Sequence, residues 1–469
     1  MTEAAIEDEE ARNARQLSQT SFSSKRSIIK KVMNKRIGIV STRLAGLDGV
    51  SLEARKWADV LESSGHSCFW FAGELDAARE KCFLVPEAHF QHPQNIRLNE
   101  QIFGKLGREA SVTETIHATR SHLKAKLKEF VDQFKIDLLI VENALAIPLN
   151  IPFGIALAEL ISETQLPTIA HHHDFFWERT HLLVNAVGEY VGMAFPPCLP
   201  NMEHVVINSL AREELARRKG IQASIIPNVL DFDNPPSKDK KDPEAFRAMF
   251  DLKPGDRAIL QPTRIIKRKG IEHAVDLVKA LSNPDYKLLL SHEPGDEGSA
   301  YPEWIMYYAR ENGVDLRISK SRIISPWNNG DRYAGSSLWN VYMNADLVTF
   351  PSTHEGFGNA FLEAIYFRKP ILVNRYATFV TDIEPKGFDV VAIDGHLTRG
   401  AIQTVREILE SPNRSREMVR NNYETARQNY SYSSLKKQLN TVLEKLSQYK
   451  GAPVYNRDPA PSQYACNLN

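Results

Sequence analysis

The stretch PSTHEGFGNAFLEAIYFRKP, residues 351–370, carries two glutamates, Glu355 and Glu363, eight positions apart, with the turn Gly356-Phe357-Gly358 between them. The apolar run Leu347-Val348-Thr349-Phe350 before it reads as a buried strand, 359–367 as a helix and Ile371-Leu372-Val373 as the next strand. These are the parts of a βαβ unit, with the glycine turn at the carboxyl edge of its first strand. Glycines there let the backbone turn tightly and approach a ligand closely. Free N–H groups at the helix start, near Gly358, Asn359 and Ala360, suit a phosphate or a sugar hydroxyl. The competing readings are a plain structural turn and, for Glu363, a solvated helix face. With both glutamates in a cleft, their carboxylates accept hydrogen bonds from the vicinal diols of ribose or a hexose.

The same rhythm runs outward in both directions. Towards the N-terminus, Arg36-Ile37-Gly38-Ile39-Val40 reads as a buried parallel strand. A helix follows with Val50, Ala54, Trp57 and Leu61 at helical spacing, stopping near Gly65. Cys68–Phe71, 137–141, 167–170 and 204–207 are further strands, with helices at 113–134 and 154–164. A Pro-, Asn-, Asp- and Lys-rich stretch, 227–244, marks a boundary. Beyond it come strands at 258–261 and 287–290, a helix at 270–281, the opening segment, and a strongly helical stretch at 401–447. The expected fold is α/β, two Rossmann-like doubly wound domains facing a cleft. The expected division is 35–228, 229–428 and a terminal helix 429–449, with loose tails at 1–34 and 450–469.

At 469 residues the chain is long enough for two domains of about 200 residues each. Hydrophobic content of 42% and charged content of 25% are those of a globular enzyme. Lys plus Arg and Asp plus Glu both total 58, so bulk charge gives no reason to expect a nucleic-acid or membrane partner, and any anion site must be built locally. The four scattered cysteines read as reduced thiols, and no apolar run is long enough for a membrane span, so a cytoplasmic protein is expected. Residues 1–34 turn from acidic to Ser-rich and basic without an apolar core, which is neither a secretory signal nor a transit peptide; Met33 is an alternative start.

Two further clusters sit at predicted strand ends, and a third lies in the boundary stretch. QPTRIIKRKGIEHAV, 261–275, carries Arg264, Lys267, Arg268 and Lys269. Such a run is either a solvated surface or a clamp in which Arg264 and Lys269 hold a diphosphate, with Lys267 and Arg268 pointing elsewhere. PTIAHHHDFFWER, 167–179, has three successive histidines, whose side chains are expected to diverge rather than hold a metal. Within it, Asp174 is a helix N-cap in the alternative reading. Asp231-Phe232-Asp233 has the form of a metal-binding Asp-x-Asp but lies in linker composition, so no metal site is expected.

The strand, HEGFGNAFLEA and KPILVN together resemble the signature of the retaining GT-B glycosyltransferases, family 4, and the resemblance extends over residues 36–447. It implies a nucleotide-diphosphate sugar as donor and a soluble small-molecule or saccharide acceptor. No cofactor or metal is required, and the final helix returns to the N-terminal domain. By the resemblance Glu355 contacts donor sugar hydroxyls, Glu363 the ribose, and the amides of Phe357, Gly358 and Asn359 the sugar and diphosphate. Arg264 and Lys269 match its cation pair. His173 is the better match to its strand-end histidine and His171 the other possibility. Asp174 and Glu178 become acceptor-side candidates, and Arg179 a partner for an anionic group. Of the Gly-Gly turn frequent in the family only Gly49 carries over, because Asp48 replaces the other glycine; Arg368 likewise stands where glycine is common. Both GDP-mannose and UDP-glucose fit as donors. The rival readings are an epimerase or phosphorylase of the same fold, and a non-catalytic sugar-nucleotide binding protein.

Overall fold

The computed structural model describes residues 34–46, 48–235, 241–292, 299–319 and 338–449. The expected tails, apart from Asn34, and the Met33 start lie outside them. Strands β1 (Arg36–Val40), β2 (Ser67–Ala72), β3 (Cys82–Leu84), β4 (Leu138–Glu142), β5 (Thr168–His172), β6 (Met202–Val206) and β7 (Ala223–Ile225) form one sheet in the order β3-β2-β1-β4-β5-β6-β7. Strands β8 (Arg257–Gln261), β9 (Tyr286–Leu290), β10 (Leu316–Ile318), β11 (Leu347–Phe350), β12 (Ile371–Asn374) and β13 (Val391–Ile393) form the other, in the order β10-β9-β8-β11-β12-β13. Every pairing is parallel. This is the two-domain GT-B architecture. In each sheet the order reverses beside the first strand, between β1 and β4 and between β8 and β11, and ligands of such sheets bind beyond the carboxyl ends at these switch points.

The central strands are buried on both faces because both are covered by helices, which explains their unbroken apolar runs: β4 and β11 have no exposed residue. The edge strands β3, β7, β10 and β13 are three residues long and were not expected, since so short a run carries no periodicity. The stretch read as strongly helical at 401–447 is three helices, Arg399–Glu410, Pro412–Tyr430 and Tyr432–Gln448, the last beginning close to the expected terminal helix 429–449. The breaks fall at Ser411 and Ser431, whose hydroxyls cap the helices that follow by accepting the N–H of Arg414 and of Ser434.

The break at Ser431 sends the chain back across the cleft. In helix Tyr432–Gln448, Leu435, Leu439, Val442, Leu443 and Leu446 form one apolar stripe. That stripe shares a buried cluster with Ile37 and Ile39 of β1, Trp57 and Leu61 of helix Gly49–Ser63, and Val205 of β6. The end of the chain is thus part of the N-terminal core. The outgoing linker runs beside this return: Leu230 N–H donates to Tyr430 O at 3.0 Å and the Tyr423 hydroxyl to Phe232 O at 3.0 Å. Asp231 accepts from Asn234 within the linker, and Asp233 accepts from Ser433 at the start of the return helix. No helix among the described residues is long and apolar enough to cross a membrane.

Arg368 takes φ +54°, the left-handed conformation that favours glycine. Its guanidinium lies 3.8 Å from the Tyr423 ring centroid, a cation–π contact that offsets part of the backbone cost.

Leu439→Ala tests the return helix. Leu439 is 1% exposed, and its truncation is expected to lower unfolding free energy by about 2–5 kcal/mol in urea titrations. The same variant should raise protease cleavage within the N-terminal domain. Loss confined to the C-terminal domain would contradict the shared core.

Candidate active site

The carboxyl edges of the two sheets enclose a cavity of about 800 Å³. Its walls come from the turns after β1, β5, β8 and β11, so both switch points open into one space. Glu355 and Glu363 both line it, and Glu363 is half-buried in the wall rather than solvated.

The C-terminal wall is built around the opening segment. Gly358 has φ +109°, and a Cβ there would lie 2.4 Å from the Tyr376 hydroxyl, so only glycine fits. That hydroxyl donates to Phe357 O at 2.7 Å, and the Thr378 hydroxyl to Glu355 O at 3.1 Å, which fixes the turn from behind. Phe361 N–H closes the first helical turn on Gly358 O, leaving the Gly358, Asn359 and Ala360 amides at the open helix end against the cavity. The Phe357 ring itself is buried in the core. Glu363 Oε2 accepts the hydroxyl of buried Tyr342 at 2.7 Å. Burial raises the Glu363 pKa, while this bond and the Lys56 charge oppose the rise.

Glu355 accepts a hydrogen bond from Lys269 Nζ and one from Arg268 Nη1 at 3.3 Å. Arg268 was expected to point away. The short 3₁₀ turn Lys267–Lys269 instead carries both Arg268 and Lys269 to the cavity, leaving Lys267 exposed outside it. Burial lowers the Lys269 pKa, and the Glu355 carboxylate works against it. Arg264 is exposed in the cavity. His292, after β9, also lines it; burial first, and then the charges of Arg264 and Lys269, push its pKa down to about 4, so it is a neutral imidazole. Its position at a strand end was the signal that could have found it.

On the N-terminal wall, Gly49 begins helix Gly49–Ser63 and a Cβ on it would lie 3.6 Å from Asn359 Nδ2. Asp48 caps that helix, accepting the N–H of Val50 and Ser51 and the Ser51 hydroxyl, and pairs with Arg43 at 3.2 Å. The three histidines do not all diverge. Alternate residues share a side, so His171 and His173 both turn to Glu142 Oε2, at 2.9 and 3.2 Å, from a strand paired with β4. These three groups have the ligand types and proximity for a metal ion, but direct hydrogen bonds already account for their arrangement. His172 points the other way, to His204 at 3.0 Å. His173 reaches the cavity; His171, the other acceptor-side candidate, is fully buried and stacked on Trp57 at 4.1 Å, so it does not line it. Asp174 is not the helix cap: it pairs with Arg179, and Glu178 Oε1 instead accepts the Phe175 N–H at 2.8 Å. Asp174, Glu178 and Arg179 all line the cavity.

Burial opposes the charge on Glu142, but its two imidazole partners outweigh burial and hold its carboxyl well below the usual range. Burial also opposes an imidazolium at His173; the Glu142 hydrogen bond and charge outweigh it and raise that pKa. Glu142 was missed because only the β4–β5 pairing brings it to the histidines.

Residues 331–425 match the glycosyl transferases group 1 family. The chain is 30% identical over 437 residues to the mannosylglucosylglycerate synthase of Thermotoga maritima, across 85% of this chain and 97% of that protein. It is 32% identical over 381 residues to the enzyme of the same name from Petrotoga mobilis, across 76% and 86%. The chain is a group 1 glycosyltransferase. Its fold matches a glycosyltransferase from Rickettsia africae with a TM-score of 0.62 at 12% identity, over 89% of this chain and 99% of that one. These relatives are transferases, which leaves the epimerase and phosphorylase readings without support.

Glu142→Gln tests the wall behind His173. Removing a charge-assisted buried partner is expected to cost about 1.5–3 kcal/mol. A raised histidine pKa contributes stability that is complete below about pH 6.5 and is lost as pH rises through the folded value. The depressed Glu142 pKa contributes stability that is complete above about pH 4.3 and is lost as pH falls through its folded value. The wild-type advantage in urea unfolding should therefore be greatest between about pH 4.3 and about pH 6.5 and shrink as pH rises through the folded histidine value. A gap that widened with rising pH would contradict the pairing.

Proposed function

We propose that this glycosyltransferase moves a mannosyl unit from GDP-mannose, with retention of anomeric configuration, to a hydroxyl of glucosylglycerate. The observation that carries the reading is the match across nearly the full length of a relative named for the product mannosylglucosylglycerate. The cavity supports it with cations on one wall and hydroxyl-binding carboxylates beside them.

Glu363, with one oxygen fixed by Tyr342, offers the other to the ribose diol. Arg264 and Lys269 meet the diphosphate, and the helix start at Gly358 and Asn359 lies beside the phosphate-proximal sugar. Lys269 has three N–H bonds, so it can keep Glu355 and still donate to the leaving group. Glu355 accepts a sugar hydroxyl, and the same carboxylate offsets one of the three positive charges of Arg264, Arg268 and Lys269. The site therefore favours the diphosphate without over-holding it. In the transfer, the acceptor hydroxyl attacks C1 from the face that the diphosphate leaves. The C1–O bond to the diphosphate breaks, the new C1–O bond forms, and the departing phosphate oxygen takes the acceptor proton. His173 lies on the opposite wall, where its ring and backbone can align sugar and acceptor. This chemistry asks for cations at the leaving group and no metal or other cofactor.

Incubation with GDP-mannose and glucosylglycerate should give a product whose NMR coupling shows the donor's anomeric configuration; an inverted product overturns the mechanism. Lys269→Ala is expected to lower kcat by about 10²–10³-fold. Glu363→Ala should mainly raise the KM for GDP-mannose, by about tenfold or more. Wild-type kinetics in both would reject the donor assignment.

A further inference from the structure

We infer that Arg179 is the residue that receives the carboxylate of the acceptor. This rests on the acceptor reading above and adds to it a specific seat and a source of selectivity.

The charges around the cavity divide by domain. Among the described residues that line it, Arg264, Arg268 and Lys269 come from the C-terminal sheet domain, and Arg179 is the lysine or arginine from the N-terminal one. Arg268 and Lys269 are held by Glu355. An acid group on an acceptor lying against the N-terminal wall meets Arg179 rather than these three.

Arg179 is held as a rigid receptor, not as a free surface side chain. Its Nε and Nη2 both donate to Asp174 Oδ2, at 2.9 and 2.6 Å. Asp174 Oδ1 accepts from Asn143 Nδ2 at 2.9 Å, and Asn143 Oδ1 accepts the backbone N–H of His173 at 3.0 Å. Asn143 holds this geometry at φ +59°, a left-handed conformation that asparagine tolerates better than most residues. The guanidinium is thereby tied to His173 through two fixed side chains. Both bonds to Asp174 use one edge of the planar group, and Nη1 donates no hydrogen bond among the described residues. The remaining edge carries a parallel pair of N–H groups, the geometry that takes a carboxylate bidentately. The side chain is 36% exposed, enough for an acid to reach it.

Two other carboxylates are close. The Asp174 charge is balanced by Arg179 itself. Glu178 spends Oε1 on the Phe175 N–H. Arg43, after β1, pairs with Asp48, lies over the Phe90 ring at 5.2 Å and is not among the residues that line the cavity.

The test compares glucosylglycerate with glucosylglycerol, which has a hydroxymethyl in place of the carboxylate, using GDP-mannose as donor. The wild type should favour the acid in kcat/KM by about 10–100-fold. In Arg179→Gln that ratio should collapse towards one, chiefly through a raised KM for the acid. Arg179→Lys, which keeps the charge but not the fork, should fall between. If Arg179→Gln does not fold, the lysine variant alone decides, since an unchanged ratio in it overturns the bidentate seat. A wild-type ratio near one, or a ratio unmoved in Arg179→Gln, overturns the inference while leaving the acceptor reading intact. If the wild type uses neither compound, the acceptor reading fails. Calorimetric binding of glucosylglycerate to the enzyme with GDP, wild type against Arg179→Gln, then decides the seat: equal binding or none overturns it.

Discussion

One buried ion pair holds the hinge on which the cleft depends. Lys56 Nζ donates to Glu53 Oε2 at 2.9 Å and to Val229 O at 2.7 Å, while Glu53 Oε1 accepts the Val229 N–H at 3.2 Å. Both side chains are nearly inaccessible. Burying two charges is costly unless their remaining hydrogen-bonding capacity is met, and here the linker backbone meets it. The pair therefore stabilises one particular path of the linker rather than the N-terminal core as such. Because Glu53 and Lys56 lie on the helix that Asp48 and Gly49 begin, the linker and that edge of the cavity are positioned by the same element. The return crossing is bonded to the outgoing one, so the domains are joined by a tied pair of crossings instead of two independent tethers. Across the cleft, Asn208 Nδ2 donates to Gly356 O at 2.7 Å and Asn228 Nδ2 to Asn359 Oδ1 at 2.7 Å. Both are few, polar and replaceable by water, the kind of contact that a closing and opening pair of domains can exchange.

The two glutamates of the 351–370 segment have separate partners. Glu355 is the counter-charge of a cation cluster, fixed by Lys269 and Arg268. Glu363 is set into the wall against Tyr342, some distance from those cations in the chain and bonded to none of them among the described residues. A carboxylate next to an anion site lowers its field, and what it gives in return is geometry: Lys269 and Arg268 are held where they stand before any ligand arrives. Preorganised cations lose less to reorganisation during bond breaking than mobile ones.

What the sequence revealed, and what it hid, follows from the range over which each signal acts. The βαβ rhythm, the glycine turn and the strand-end clusters are local patterns of spacing, and they placed Glu355, Glu363, Arg264 and Lys269 around one cavity, while the choice of His173 came from the family resemblance. The His171–Glu142 contact is not local. It needs β4 and β5 to be neighbours, and nothing within 167–179 carries that. Arg268 turned inward because three residues wind into a 3₁₀ turn that neither helix nor strand periodicity describes. Arg368, an unexplained departure from glycine in the sequence, keeps glycine's backbone conformation and leans on Tyr423, a partner far along the chain.

The other departure, Asp48, bears on how the two substrates share the cleft. A Gly-Gly turn would leave a helix N-terminus open to a phosphate. Here Asp48 fills that end with its own carboxylate, satisfied by two backbone amides, a hydroxyl and Arg43. The macrodipole that would favour an external anion is already answered from within the chain. Anion binding on the N-terminal wall is thereby shifted away from the β1 turn to the fixed arginine after β5. In the proposed reading the diphosphate falls to the C-terminal wall, where Arg264, Lys269 and the helix start at Asn359 line the cavity. On this proposed division, each domain holds one anionic group and the two charges are neutralised separately.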